Sequence, residues 1–299
     1  MRTCLSIVLI SIFCISCNSV KNKNVKNEEP YNNDDPVVVY SLSGMEDVIV
    51  KMDIPYREHG DSNLVMDIYY PPNFKFELKV PAIVIVFGYT DEAQNKIVGN
   101  QFRKLSWYTS WCRIIAASGM AAIAYETIDP VDDLVAIEMF IKENEEDLLI
   151  SKDRIGAFAV SANTPAAISR LLDASNEFFK CGVFYYGFVL THNSKYLSPI
   201  DSLSKHMGFS TPRLADDINL NLNAPMMLIR AGMDNVPYLN QTLNEFLNLA
   251  QKNNLPVTLI NYPNGVHGFD AFNDNDTTRM IIESTIEFWR FYLFNSNSN

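Results

Sequence analysis

Apolar positions recur with two different periods along this chain. Asp47 to Ile54 alternates apolar and polar residues, as a strand with one solvated face does, and Leu64 to Tyr70 behaves the same way. Gly60-Asp61-Ser62-Asn63 between them supplies hairpin-turn residues, and Pro71-Pro72 stops the second strand. Val80–Phe87 is almost wholly apolar, as a strand buried on both faces is. Met120–Tyr125, Ile155–Val160, Cys181–Tyr186, Pro225–Arg230 and Pro256–Tyr262 are further short apolar runs that predict strands. Helical spacing predicts helices over Phe102–Ser118, stopped by Gly119, and over Val131–Asn144, with Leu134, Ile137, Phe140 and Ile141 on one face. The same spacing predicts helices over Ala162–Leu172, Leu239–Gln251 and Thr277–Phe294.

Strands that alternate with helices predict an α/β fold: a mostly parallel, doubly wound sheet with helices on both faces. The two N-terminal alternating strands predict an antiparallel edge. Residues 188–223 are less regular and read as an insert, of the kind that shapes a ligand site at the carboxyl ends of strands. No repeat or second compositional regime divides the body, so one domain over residues 41–295 is expected.

The first residues follow another pattern. Arg2 precedes an apolar run from Cys4 to Ile15 that is broken only by Ser6 and Ser11. That is shorter than the roughly 20 residues a spanning helix needs, and it has the make-up of a secretory signal. Its end, Ile15-Ser16-Cys17-Asn18-Ser19, resembles a bacterial lipoprotein signal, which implies cleavage before Cys17 and a lipid on its sulfur. Residues 1–17 are therefore expected to be a lipoprotein-type signal. The tract from Asn18 to Pro36 is dense in Asn, Lys, Glu and Asp, and residues 18–40 are expected to form a disordered tether. The implied location is the bacterial cell envelope, with membrane attachment through Cys17 alone.

Composition narrows the function. Hydrophobic residues at 47% and charged residues at 20% exclude disorder across the whole chain. A formal charge of −11 argues against nucleic acid as a partner, because phosphate binding needs clustered Lys and Arg. Outside the signal, the cysteines are Cys112 and Cys181. An oxidising compartment permits a disulfide between them, and two buried free thiols are the simpler reading. No Cys/His cluster, G-x-G-x-x-G fingerprint or P-loop pattern is present, so no metal or cofactor is expected. His59, His192 and His206 read as surface or loop residues, and Trp107, Tyr108 and Trp111 as a helix face packed on the sheet.

One constellation carries chemistry. The strand Ile155–Val160 runs straight into Ser161 and then a helix, in the sequence Ala159-Val160-Ser161-Ala162-Asn163. A strand–Ser–helix turn is a nucleophile elbow, usually written G-x-S-x-G, although such a Ser is also a common N-cap. Ala159 and Ala162 are small enough for the tight turn, and Asn163 stands in place of the second Gly. Asp234 follows the strand Pro225–Arg230, in Ala231-Gly232-Met233-Asp234-Asn235. His267 follows the last strand, in Gly265-Val266-His267-Gly268-Phe269. Ser161, Asp234 and His267 occur in the order of an α/β-hydrolase triad, 73 and 33 residues apart.

From about Asp47 to Phe294 the chain resembles the α/β-hydrolase superfamily, and within it the dienelactone-hydrolase-like branch of small esterases. The segments Arg230–Asn235 and Gly265–Phe269 carry the resemblance. It implies Ser161 as nucleophile where dienelactone hydrolases use Cys, His267 as general base and Asp234 as the acid that orients it. It also implies an oxyanion hole from the backbone N–H groups of Ala162 and Tyr89, with Gly88 letting the backbone approach. Phe87 stands where the family often has His. The expected activity is hydrolysis of a carboxylic ester, on a small molecule or linked to a polysaccharide. A catalytically degenerate binding module, and a peptidase or acyltransferase using the same triad, remain open alternatives.

Overall fold

The structure, a computed structural model, describes residues 36–75, 77–86, 88–99, 102–214 and 219–295. Eight strands form one sheet: β1 (Ile49–His59), β2 (Ser62–Tyr70), β3 (Val80–Val86), β4 (Ala121–Tyr125), β5 (Ile150–Val160), β6 (Phe179–Tyr185), β7 (Met226–Ala231) and β8 (Val257–Tyr262). Their spatial order is β1-β2-β4-β3-β5-β6-β7-β8. β1 and β2 form the antiparallel hairpin edge, β2 runs antiparallel to β4, and the remaining pairs are parallel. The fold class expected from the hydrophobic pattern is the one observed.

Among the described residues, seven helices of two turns or more flank the sheet, six between strands and one after the last. They are α1 (Asp91–Val98), α2 (Ser106–Ala117), α3 (Pro130–Glu143), α4 (Thr164–Leu171), α5 (Leu197–Met207), α6 (Leu239–Lys252) and α7 (Asp276–Phe294). α2 and α7 cover one face, where Trp111, Ile281 and Trp289 join the core with Phe158 and Tyr185 of the sheet. α3, α4 and α6 cover the other through Ile137, Leu171 and Phe246. β3 to β7 are therefore buried on both faces, which explains their continuous apolar runs. Trp107, Tyr108 and Trp111 belong to the buried face of α2.

One helix has no apolar stripe that could have announced it. α1 is mostly polar (DEAQNKIV) and is defined by its ends. Thr90 Oγ1 accepts the Ala93 N–H at 3.3 Å, acidic residues open the first turn, and Gly99 closes the helix in the left-handed conformation. α5 lies within 188–223 and buries Ile200 and Ser204. That insert is thus partly regular, a correction to its reading from sequence.

The packed body also starts earlier than residue 41. Val38 is 5% exposed, its N–H donates to Ser110 Oγ at 3.1 Å, and the Val39 N–H donates to the Asp270 carbonyl at 2.8 Å. Residues 36–40 therefore pack as part of the unit Asp35–Asn299 and not as tether. Cys112 and Cys181 are buried free thiols. The signal, with Cys17, lies outside the described residues. Among the described residues no helix is long and apolar enough to cross a membrane.

Candidate active site

Three loops at the carboxyl ends of β5, β7 and β8 converge. β5 ends at Val160 in extended geometry, and Ser161 then takes φ +58°. That left-handed value is costly for a residue with a Cβ and persists only when surrounding packing enforces it. A short helical turn over Ser161–Asn163 leads into α4. Ala159 and Ala162 are buried beside the turn, as a tight elbow requires. Asn163 has φ −88° and ψ 7°, which any L-residue adopts, so the backbone at that position does not require glycine.

The loops after β7 and β8 are stitched together by backbone. The Gly232 N–H donates to the Tyr262 carbonyl at 2.7 Å, and the Met233 N–H to the Gly265 carbonyl at 2.9 Å. A Cβ on Gly232 would lie 2.3 Å from the Pro263 carbonyl oxygen, so only glycine permits this approach. Asp234 and His267 face each other across this seam. His267 Nδ1 is 2.7 Å from Asp234 Oδ2, and the Val236 N–H donates to Asp234 Oδ1 at 2.9 Å. The Asp234 side chain is fully buried, and that of His267 is 20% exposed.

Ser161 Oγ lies 2.9 Å from His267 Nε2. The carboxylate accepts from Nδ1–H, which leaves the lone pair of Nε2 to accept from the serine hydroxyl. Ser161, His267 and Asp234 thus form one hydrogen-bonded chain. Gly88 lies alongside it, since a Cβ built there would be 3.8 Å from Ser161 Cβ. This brings the loop after β3, with Tyr89 next in sequence, against the elbow. Phe87 is outside the described residues. His59, His192 and His206 are exposed.

Sequence reasoning missed the support beneath His267. The Tyr186 ring packs on the imidazole, with centroids 4.8 Å apart. Its hydroxyl donates to Asp270 Oδ1 at 2.6 Å, and Trp111 Nε1–H donates to Asp270 Oδ2 at 2.7 Å. Asp270 is fully buried, and burial raises its carboxyl above the usual carboxylate range. Burial likewise holds the Tyr186 hydroxyl far above its ordinary value, so it stays a donor. The only local hint of this anchor is an Asp inside the apolar segment Gly268-Phe269-Asp270-Ala271-Phe272.

A second polar cluster stands beside the loop after β3. Asp91 accepts the Phe102 N–H at 3.1 Å and the Thr127 N–H at 2.6 Å. Burial pushes its carboxyl up to about 6. Nearby, Arg103 binds Asp67 and Glu126 at 3.0 Å each.

No protein-family model and no curated protein matches this chain. Solved structures do. An esterase from the fungus Rhizomucor miehei superposes with a TM-score of 0.65 at 14% identity, covering 83% of this chain and 85% of its own. A bacterial heroin esterase gives 0.63 at 19% identity, covering 85% and 87%. Native esterase 2 from the planctomycete Thermogutta terrifontis gives 0.61 at 18% identity, covering 82% and 92%. At these identities the likeness is one of fold, and the fold is that of the α/β-hydrolases.

Proposed function

We propose that this protein is a serine hydrolase that cleaves carboxylic esters through an acyl-enzyme on Ser161. The observation that carries the reading is the hydrogen-bonded chain Ser161–His267–Asp234, with 2.9 Å and 2.7 Å links and the serine held at φ +58°. A serine hydroxyl is a weak nucleophile near neutral pH and needs an adjacent base. His267 Nε2 takes the proton as Oγ attacks the ester carbonyl, and Asp234 stabilises the imidazolium that forms. The carbonyl oxygen becomes an oxyanion, for which the Ala162 and Tyr89 N–H groups are the proposed donors. His267 then protonates the leaving alcohol, and water repeats the sequence to release the acid.

The Thermogutta terrifontis esterase 2 has been observed with propionate bound and in a form phosphorylated by paraoxon. By analogy, small carboxylic esters are the proposed substrates here, free or attached to a polysaccharide. The segments Arg230–Asn235 and Gly265–Phe269 favour the dienelactone-hydrolase-like branch, with Ser161 replacing the cysteine of that branch. Export and lipid anchoring through Cys17 complete the proposal. A Cys17→Ala variant should leave the membrane fraction of an expressing bacterium; unchanged fractionation would refute the anchor.

The test of the activity is hydrolysis of p-nitrophenyl acetate and butyrate by the folded protein. Wild type should turn over, and Ser161→Ala and His267→Ala should fall to background. Turnover that survives Ser161→Ala would overturn the assignment.

A further inference from the structure

Asn163 occupies a place where neither backbone conformation nor core packing calls for an amide. It is fully buried, and its Nδ2 has no hydrogen-bond partner. A buried donor left unpaired costs on the order of 1–3 kcal/mol, so stability alone disfavours this residue. Its Oδ1, however, accepts the N–H of Ser210 at 3.0 Å, from a residue 47 positions away in the insert.

The two residues before Ser210 make the matching contacts on the opposite wall. The Gly208 carbonyl accepts the Thr90 N–H at 2.9 Å, one residue past Tyr89. Gly208 has φ +73°, and a Cβ there would meet Ala93 Cβ of α1 at 2.7 Å, so glycine is what lets the insert pack against the start of α1, just past this loop. Phe209 spans the gap between the walls. Its ring stacks parallel to Phe188 at 5.8 Å and leans on Tyr89 at 6.3 Å. The Phe188 N–H in turn donates to the carbonyl of Ser161 at 3.4 Å.

Three consecutive insert residues therefore grip both segments proposed to carry oxyanion donors. Gly208 holds the loop of Tyr89, Ser210 holds the turn of Ala162 through Asn163, and Phe209 packs between them. We propose that the 208–210 segment is a brace that sets the separation of the two oxyanion donors, and that Asn163 is the positioning residue through which it acts on the elbow. The proposal rests on the serine-hydrolase reading for its catalytic consequence but not for the brace itself. A donor must lie about 2.7–3.1 Å from where the oxyanion forms, and a misplacement of about 1 Å can cost on the order of a hundredfold in rate.

The experiment compares Asn163→Ala and Asn163→Asp with wild type by hydrogen–deuterium exchange and by ester kinetics, at matched folded fraction. Asn163→Ala should speed exchange in peptides covering both 88–93 and 161–166. It should also lower kcat on p-nitrophenyl acetate at least tenfold with KM within about twofold. Asn163→Asp keeps an acceptor for the Ser210 N–H and should restore the protection. Unchanged exchange at 88–93 in Asn163→Ala would overturn the brace, as would a loss carried by KM alone. A wild type that shows no ester turnover would remove the hydrolase reading, while the exchange arm would still decide the brace.

Discussion

Replacing Asp234 by Asn tests the geometry of the site in a way that no truncation does. The Val236 N–H donates to Oδ1 at 2.9 Å, so an Asn at this position keeps its carbonyl oxygen there. Its amino group must then face His267 Nδ1, where Oδ2 now accepts at 2.7 Å. An N–H donor facing Nδ1 requires a lone pair on that nitrogen, which moves the imidazole proton to Nε2. The ring then presents N–H to Ser161 Oγ across the 2.9 Å contact and cannot take the serine proton. Shape and volume are nearly unchanged, so the protein should fold as wild type does. A loss of this kind is worth about 10⁴ in kcat, or about 5 kcal/mol of transition-state stabilisation. Oxyanion donors and substrate binding survive, so the loss should fall on kcat and leave KM within a few fold. Initial rates on p-nitrophenyl acetate, with the melting temperature as a control for folding, measure this. A folded Asp234→Asn variant that retains more than a tenth of wild-type kcat would refute the tautomer argument.

Other parts of the structure make separate predictions. Gly232→Ala forces a Cβ to within 2.3 Å of the Pro263 carbonyl oxygen. It should cost about 1–3 kcal/mol in urea denaturation and separate Asp234 from His267, and a variant with wild-type stability and rate would contradict this. Trp111→Phe removes the 2.7 Å hydrogen bond to the buried Asp270 carboxylate. It should destabilise by about 1–3 kcal/mol, seen as a lower melting temperature, because an acceptor is left under-served in the core. Asp91 makes a pH prediction. Burial raises its carboxyl to about 6, above the ordinary value near 4, so the folded state holds this proton more tightly than the unfolded chain does. Its contribution to stability is therefore full at low pH and is lost as pH rises through about 6. Between pH 4.5 and 7, the stability of Asp91→Asn relative to wild type should shift in the variant's favour by about 2 kcal/mol, and urea midpoints at the two pH values check it.

The sheet was legible because burial on two faces leaves continuous apolar runs, and the β1–β2 edge because one solvated face leaves alternation. Ser161, Asp234 and His267 stand out as candidates in sequence because each follows a recognisable strand within a few residues, in one chain order. What escaped has a common cause. α1 is held by Thr90 and Gly99 at its ends and not by an apolar stripe, so periodicity does not register it. The Asp270 anchor depends on Trp111, 159 residues away, and the Asn163 brace on Ser210, 47 residues away. Such pairs leave no local pattern, and each becomes visible only when the sheet has brought its members together. Residues 36–40 differ: Pro36-Val37-Val38-Val39-Tyr40 is itself an apolar run, hidden only by the polar tract that it ends, and the Val38 N–H finds its partner on α2, at Ser110.

The central claim is that Ser161 is an activated nucleophile, and covalent labelling tests it without any assumption about the substrate. The mature protein would be treated with a fluorophosphonate probe at neutral pH, beside Ser161→Ala and His267→Ala, and the modified peptide mapped by mass spectrometry. The account predicts stoichiometric labelling of wild type on Ser161 and none on either variant. A folded wild type that remains unlabelled, or labelling at another serine, would contradict it.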